Sequence, residues 1–128
     1  MSDSPRSVDH LLPLKPKVLH ILLALADGPS HGYGIMQEVA ARSDGQVRVW
    51  PAAMYGTLRE LEELDLIVES EKRPTVDDER RRYFALTPFG ARVLNGEVQR
   101  LEAIVSHARN SRALRKAFGS AQGKAGRA

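Results

Sequence analysis

Apolar side chains in the first half of the chain recur every three or four residues, which is the period of an amphipathic α-helix. Three such segments predict helices over residues 14–27, over residues 31–42 and from Pro51 onward. Gly28-Pro29 separates the first two helices, and Ser30 is suited to cap the second. The positions that define the three apolar faces are Leu14, Val18, Leu22 and Leu25; Ile35, Met36, Val39 and Ala40; and Met54, Leu58, Leu61 and Leu64.

The pattern changes after Leu66 and changes again at Thr87. Residues 67–72 and 80–86 alternate in a way that predicts two strands, and the polar residues 73–79 predict the loop of a β-hairpin. Thr87-Pro88 is typical of a helix start, with threonine as N-cap and proline in the first turn. The apolar residues that follow are spaced 4, 3, 4, 3, as in a coiled-coil heptad. We therefore expect a long last helix that pairs with a second helix.

The predicted fold is mainly α with a small β-hairpin: a winged helix-turn-helix followed by a long C-terminal dimerisation helix. The winged helix-turn-helix spans residues 14–86 and the dimerisation helix residues 87–110. Residues 1–13 are expected to form a flexible arm, and residues 111–128 a basic, disordered tail. The candidate dimerisation residues are Leu94, Val98, Leu101, Ile104, Val105 and Ala108.

The composition of the chain argues against several kinds of site but does not by itself indicate a function. The net charge is +3, but the segment after Glu102 has six cations and no acid, so the rest of the chain is net −3 and the basic balance says little about nucleic acid. The chain has no cysteine, and its four histidines are scattered, so we expect no disulfide, metal, cofactor or catalytic site. The longest apolar run is too short to span a bilayer, and a cytoplasmic location is expected.

The third helix is a candidate recognition helix despite an unfavourable charge. Residues 51–67 contain one arginine and four acids, a net charge of −3 that would repel phosphate. Placing Met54, Leu58 and Leu61 toward the core leaves small side chains, one cation and, farther along, Glu63 on the opposite face. The first turns of such a helix touch base edges in the major groove, whereas these acids lie to the side or farther along. The candidate DNA contacts on this helix are Ala52, Tyr55, Gly56 and Arg59.

The predicted hairpin places cations beside that helix. Five cations bracket the acidic turn Asp77-Asp78-Glu79. An arginine triplet taken alone is more often a solvated surface, but its position directly after a helix-turn-helix favours a phosphate-binding wing. The candidate phosphate contacts are Lys72, Arg73, Arg80, Arg81 and Arg82.

Three stretches of the sequence together resemble the PadR family of transcription regulators. They are HGYGI at 31–35, MYGTLRELEELDLI at 54–67 and RRRYFALTPFGARVL at 80–94. The resemblance covers about residues 14–108 and adds Tyr33, which lies in the Gly-Tyr motif, to the candidate DNA contacts. Asp65 departs from the pattern, because the family usually has glycine there, and this leaves the end of the recognition helix open.

The resemblance implies a homodimer that binds double-stranded DNA, usually as a repressor that a small molecule releases; in many members that effector is aromatic. With one long helix after the wing, the chain resembles the short C-terminal branch, and an effector pocket would have to lie between subunits. Trp50, the only tryptophan, could line such a pocket. Packing of Trp50 near the start of the third helix is the stronger expectation, since tryptophan is highly buried on average. No effector-binding residue is assigned.

A second interpretation stays open at this point. A winged helix can serve as a protein-interaction module that uses its hairpin or long helix for another protein instead of DNA. Binding to DNA through arginines predicts an affinity that falls steeply with salt, whereas a protein-interaction module can be far less sensitive.

Overall fold

A computed structural model describes residues 7–72 and 81–117 of the chain. The three strands in these ranges form one antiparallel sheet in the order β1-β3-β2. The predicted mainly α fold with a small sheet is thereby confirmed. The elements, after a short 3₁₀ turn at Asp9–Leu11, are α1 (Pro16–Ala24), β1 (Ser30–His31), α2 (Gly32–Arg42), α3 (Pro51–Glu63), β2 (Ile67–Ser70), β3 (Tyr83–Leu86) and α4 (Pro88–Arg109).

The core lies where the apolar faces of the first three helices meet the sheet. The periodicity identified most of it correctly, because side chains that share a helix face are buried together. Leu64 is an exception, since 45% of it is exposed and it lies just beyond the end of α3. The largest fully buried apolar side chains are Ile21, Leu22, Ile35, Val39, Met54, Leu58, Leu61, Leu66, Ile67, Phe84 and Val93.

β1 is a strand that the sequence did not predict. Ser30 pairs with Phe84 and His31 with Tyr83, so Ser30 is in the sheet and is not the cap of α2. The cap is His31, whose Nδ1 accepts a hydrogen bond from the backbone N–H of Gly34 at 3.1 Å. Two residues are too few to give a periodic signal, which explains why this strand was missed.

The end of α3 depends on Asp65, which has the left-handed backbone that glycine adopts most easily, with φ of 63°. The Leu66 N–H donates to the Leu61 carbonyl at 2.9 Å, and the Asp65 N–H donates to the Glu62 carbonyl at 2.9 Å. These two bonds form a Schellman motif that satisfies the last carbonyls of the helix. An aspartate thus ends the helix in the place where glycine was expected.

Thr87 joins the start of α4 to the end of α3. Its hydroxyl oxygen accepts from the Gly90 N–H at 2.8 Å and donates to the Asp65 carbonyl at 2.5 Å. The N-cap predicted at Thr87 is therefore confirmed. Position 90 requires glycine, because a Cβ there would overlap the Leu66 carbonyl.

The flanking segments differ in part from the predicted flexible arm and tail. Val8, Leu11 and Leu12 pack against the core, and residues 112–117 are helical. Residues 1–6 and 118–128 lie outside the described residues. The chain divides into two compact units, Met1–Gly96 and Glu97–Ala128. No helix among the described residues is long and apolar enough to cross a membrane.

Candidate nucleic-acid interface

The first turns of α3 form an exposed surface of small side chains. Ala52, Gly56 and Arg59 are exposed, and a Cβ added at Gly56 would meet nothing within 4 Å. Tyr55 is 64% exposed beside them. Met54 and Leu58 on the other side of the helix are 1% exposed and hold it against the core. The face predicted from the sequence to be free of the core is therefore the exposed face.

Tyr33, at the start of α2, and Tyr55, on α3, are exposed aromatic residues that lie near each other. Tyr33 is 58% exposed. A Cβ on Gly32 would lie 3.9 Å from the Tyr55 hydroxyl, so the ring of Tyr55 reaches from α3 to the start of α2. A phenol offers a hydroxyl to phosphate and a flat apolar face to a sugar or base.

Arg82 is not an unpaired wing cation, because the carboxylates around it hold its guanidinium group. Its Nε and Nη2 donate to Glu69 Oε1 at 3.1 and 2.8 Å, and Nη2 lies 4.0 Å from Glu62 Oε2. The hydrogen bond to Glu69 raises the pKa of Arg82, and the negative charges of Glu69 and Glu62 raise it further, against desolvation. The guanidinium carbon lies 5.1 Å from the centre of the Phe84 ring. Arg82 therefore joins the wing to the acidic end of α3.

Arg81 lies next to the histidine that caps α2. The Arg81 Nη1 is 3.1 Å from His31 Nε2, while His31 Nδ1 accepts from Gly34. A neutral imidazole has one nitrogen with a free lone pair, and arginine can only donate. His31 can therefore accept fully from Arg81 or from the α2 backbone, but not from both at once. The rings of His31 and Tyr83 also pack in a T-shaped arrangement, with their centres 5.1 Å apart.

Of the other predicted wing contacts, the structure describes only Lys72. Lys72 is exposed just after β2. Arg73 and Arg80 lie outside the described residues. The structure thus brings Lys72, Arg81 and Arg82 to the strands of the wing and leaves the tip undescribed.

The connector, which we define as residues 46–50 between α2 and α3, contains exposed residues that sequence reasoning did not assign to this surface, among them Trp50 and Arg48. Trp50 is 65% exposed, so the expectation that it packs near α3 was wrong. Arg48 is exposed as well. The available signal was Pro51, which keeps the residue before it in extended backbone outside the helix; Trp50 has φ −81° and ψ 149°.

The predicted dimerisation residues divide between the core and an exposed surface. Leu94 is 8% exposed and belongs to the hydrophobic core. In the unit Glu97–Ala128, Val98, Ile104 and Val105 are 37%, 51% and 47% exposed. Leu101 and Ala108 are half-buried. Val98, Leu101 and Val105 line an open groove of about 640 Å³ in that unit.

Comparisons with known proteins agree with this geometry. Residues 21–96 match the model of the family described as "Transcriptional regulator PadR-like family". A PadR-like transcriptional regulator from Bacillus cereus has a similar fold, with a TM-score of 0.61 and 17% identity over 80% of this chain and 92% of that one. A transcriptional regulator from Clostridium thermocellum gives a TM-score of 0.56 and 23% identity over 75% and 90% of the two chains.

Two further matches extend the comparison. A complex of RosR from H. salinarum gives a TM-score of 0.59 and 21% identity over 92% of this chain and 94% of that one. An uncharacterized 37.1 kDa protein in transposon TN4556 of Streptomyces fradiae is 40% identical over 77 residues, which cover 60% of this chain. The matched part of the chain spans 20% of that protein's length. Since the family model covers more than half of the sequence, the chain belongs to the PadR-like family of transcriptional regulators.

Proposed function

We propose that this protein is a dimeric, sequence-specific DNA-binding repressor that a small molecule releases from its operator. The observation that carries the proposal is the exposed, acid-free start of α3, in which Ala52, Tyr55 and Gly56 surround a backbone that DNA can approach closely. The first turns of the second helix of a helix-turn-helix are the part that enters the major groove. Membership of a transcriptional regulator family supports the same conclusion.

Arg59 is the proposed cation of the recognition helix itself. It is exposed on α3 and has no hydrogen bond or ion pair with the residues that the structure describes. A guanidinium group is well suited to guanine edges and to phosphate, because its fork of donors matches both. Lys72 and Arg81 are the proposed phosphate contacts of the wing, and Arg82 contributes mainly by fixing the wing beside α3.

A mobility-shift titration against a duplex from the gene's own promoter region tests this proposal. For about six phosphate contacts in a dimer, affinity should fall roughly 10³-fold between 50 and 200 mM salt. Arg59→Ala should lose at least about 10-fold in affinity, whereas Glu63→Gln, on the same helix, should stay within about twofold. Absence of a retarded band, or binding that does not respond to salt, would favour a protein-interaction module instead.

The dimer is proposed to form through the exposed apolar residues of the unit Glu97–Ala128. Val98, Leu101 and Val105 follow heptad spacing, and a second copy of the same helix matches this pattern. Sedimentation at micromolar concentration should give the mass of a dimer, and Val105→Glu should give a monomer. Ser106→Glu adds the same charge at a polar neighbouring position and should leave the dimer intact; a monomeric wild type would exclude this assembly.

We infer that the effector is a small aromatic molecule bound between subunits. The groove beside Val98 has a volume of about 640 Å³, which lies in the range of small-molecule pockets. Phenolic compounds added to a preformed complex should release the labelled duplex, and Ser106→Trp, which narrows the groove at a position outside the heptad contacts, should prevent release without preventing DNA binding. Unchanged release in Ser106→Trp would place the effector elsewhere.

A further inference from the structure

The connector presents a tryptophan and an arginine to solvent directly before the recognition helix. Trp50, the sole tryptophan of the chain, is 65% exposed, although tryptophan side chains are highly buried on average. Its carbonyl accepts from the N–H groups of Ala53 and Met54 at 2.9 and 3.0 Å. The backbone of Trp50 is therefore fixed relative to the first turn of α3.

Ser43 holds the connector against the end of α2. The Ser43 hydroxyl donates to the Val39 carbonyl at 2.8 Å and accepts from the Val47 N–H at 2.9 Å. The Gly45 N–H also donates to the Ala40 carbonyl at 2.7 Å. These hydrogen bonds hold the backbone of the connector against the end of α2. The side chains of Arg48 and Trp50 therefore extend from a backbone that is fixed to the core.

Arg48 differs from the arginines that stabilise the fold. Arg42, Arg82 and Arg100 each pair with a carboxylate. Arg48 is exposed and makes no hydrogen bond or ion pair within the part of the chain that the structure describes. Its charge is therefore available to an external anion.

Arg48 and Trp50 line one shallow concavity of about 240 Å³ between α2 and the connector. Three of its apolar side chains, Met36, Ala40 and Val49, are buried or half-buried, whereas Trp50 and Pro51 are exposed together with the polar side chains. No carboxylate is among the described residues that line it. The other main lining residues are Met36, Ala40, Val49 and Gln37.

We propose that this concavity binds the sugar-phosphate backbone of the same duplex that α3 enters. Arg48 and Gln37 donate to phosphate oxygens, and the indole of Trp50 packs on the neighbouring deoxyribose. Charge complementarity supports a polyanion as the occupant, since, among the residues that the structure describes, the concavity combines a cation that has no ion pair with a lining that has no acid. The connector then provides, on the α2 side of the recognition helix, the phosphate contact that the ion-paired Arg82 does not provide on the wing side. This inference rests on the proposed DNA-binding function.

The sole tryptophan makes the test direct. Indole emission of the full-length protein should change as promoter duplex is added, with the same midpoint as the anisotropy of a labelled duplex. Arg48→Met, which keeps the apolar part of the side chain, should reduce the slope of log affinity against log salt by about 1 for each copy bound. Arg48→Lys, which restores the charge, should restore most of the slope.

Arg42→Ala is the matched control. Arg42 is the last residue of α2, shortly before the connector, but pairs with Glu38 and Asp27, so the salt slope should not change. A salt-dependent wild-type complex with unchanged Trp50 emission, and with equal slopes for wild type and Arg48→Met, would overturn the inference while the DNA-binding function stands. If wild type does not bind the duplex, both fail.

Discussion

The first two turns of α3 and its last turn differ in charge and in the contacts that hold them. The first turns have Ala52, Gly56 and Arg59 exposed and no acid. The last turn has Glu62, which lies 4.0 Å from Arg82 of the wing, and it ends in the Schellman motif at Asp65. The net charge of −3 over residues 51–67 is therefore a poor guide to function, because the acids lie toward the end of α3 that contacts the wing.

The largest loss of DNA affinity is expected when the first turns of α3 receive the acidic charge of the last turn. Gly56→Glu places a carboxylate on the groove-facing surface, in space that is open. Replacing glycine within a helix should raise stability by about 0.5–1 kcal/mol, whereas affinity for the promoter duplex should fall more than about 100-fold because like charges oppose each other. Mobility shifts and thermal melts measure the two effects.

Gly56→Gln is the control for that variant. It has nearly the same size and no charge, so it should lose much less affinity than Gly56→Glu. Equal binding by Gly56→Glu and wild type would mean that the first turns of α3 do not face DNA.

Substitution of Thr87, which contacts the end of α3, should affect stability and leave DNA binding nearly unchanged. Thr87→Ala removes the donor to the Asp65 carbonyl and the acceptor for the Gly90 N–H. The free energy of unfolding should fall by about 1 kcal/mol, as for other N-cap threonines, with little change in DNA affinity for the folded protein. Urea denaturation measures the loss, and Thr87→Ser should recover most of it; a large loss of affinity in stable Thr87→Ala would assign this end to DNA.

Releasing Arg82 from its ion pair with Glu69 should change DNA affinity only slightly. Glu69→Gln removes the charge that accepts both of its short hydrogen bonds. Arg82 should then reach phosphate more often, so affinity should rise a few-fold and the salt slope should steepen by up to about 1 per copy. Glu63→Gln removes an exposed charge near the same end of α3 without releasing Arg82, and it separates the two causes. Equal titrations for both variants would show that Arg82 gains no DNA contact.

Periodicity predicted the parts of the fold in which many residues repeat one pattern. The core faces of α1, α2 and α3 follow from the spacing of side chains such as Leu22, Val39 and Leu58, because burial of a helix face needs that spacing. The start of α4 followed from Thr87-Pro88. The two-residue strand β1 and the cap at His31 depend on pairing with β3, which is distant in sequence, and no local pattern indicates them.

On the candidate DNA-binding surface, too, features set by the local sequence could be predicted, whereas ion pairs between residues distant in sequence could not. The exposed face of α3 could be derived from its helical period. The pairing of Arg82 with Glu69 could not, because residue type alone does not tell a solvated arginine from a paired one. Average burial of tryptophan gave the wrong expectation for Trp50, since the extended backbone before Pro51 places this side chain outside the helix.

The central claim is that the start of α3 enters DNA and its end does not, and cysteine footprinting tests it directly. The chain has no cysteine, so a single one can be placed at either end, as Ala52→Cys or as Glu63→Cys. Both positions are exposed in the protein alone and should react with a maleimide at similar rates. Saturating promoter duplex should protect the cysteine at position 52 and leave the one at position 63 reactive; protection at position 63 with free reaction at position 52 would contradict the account.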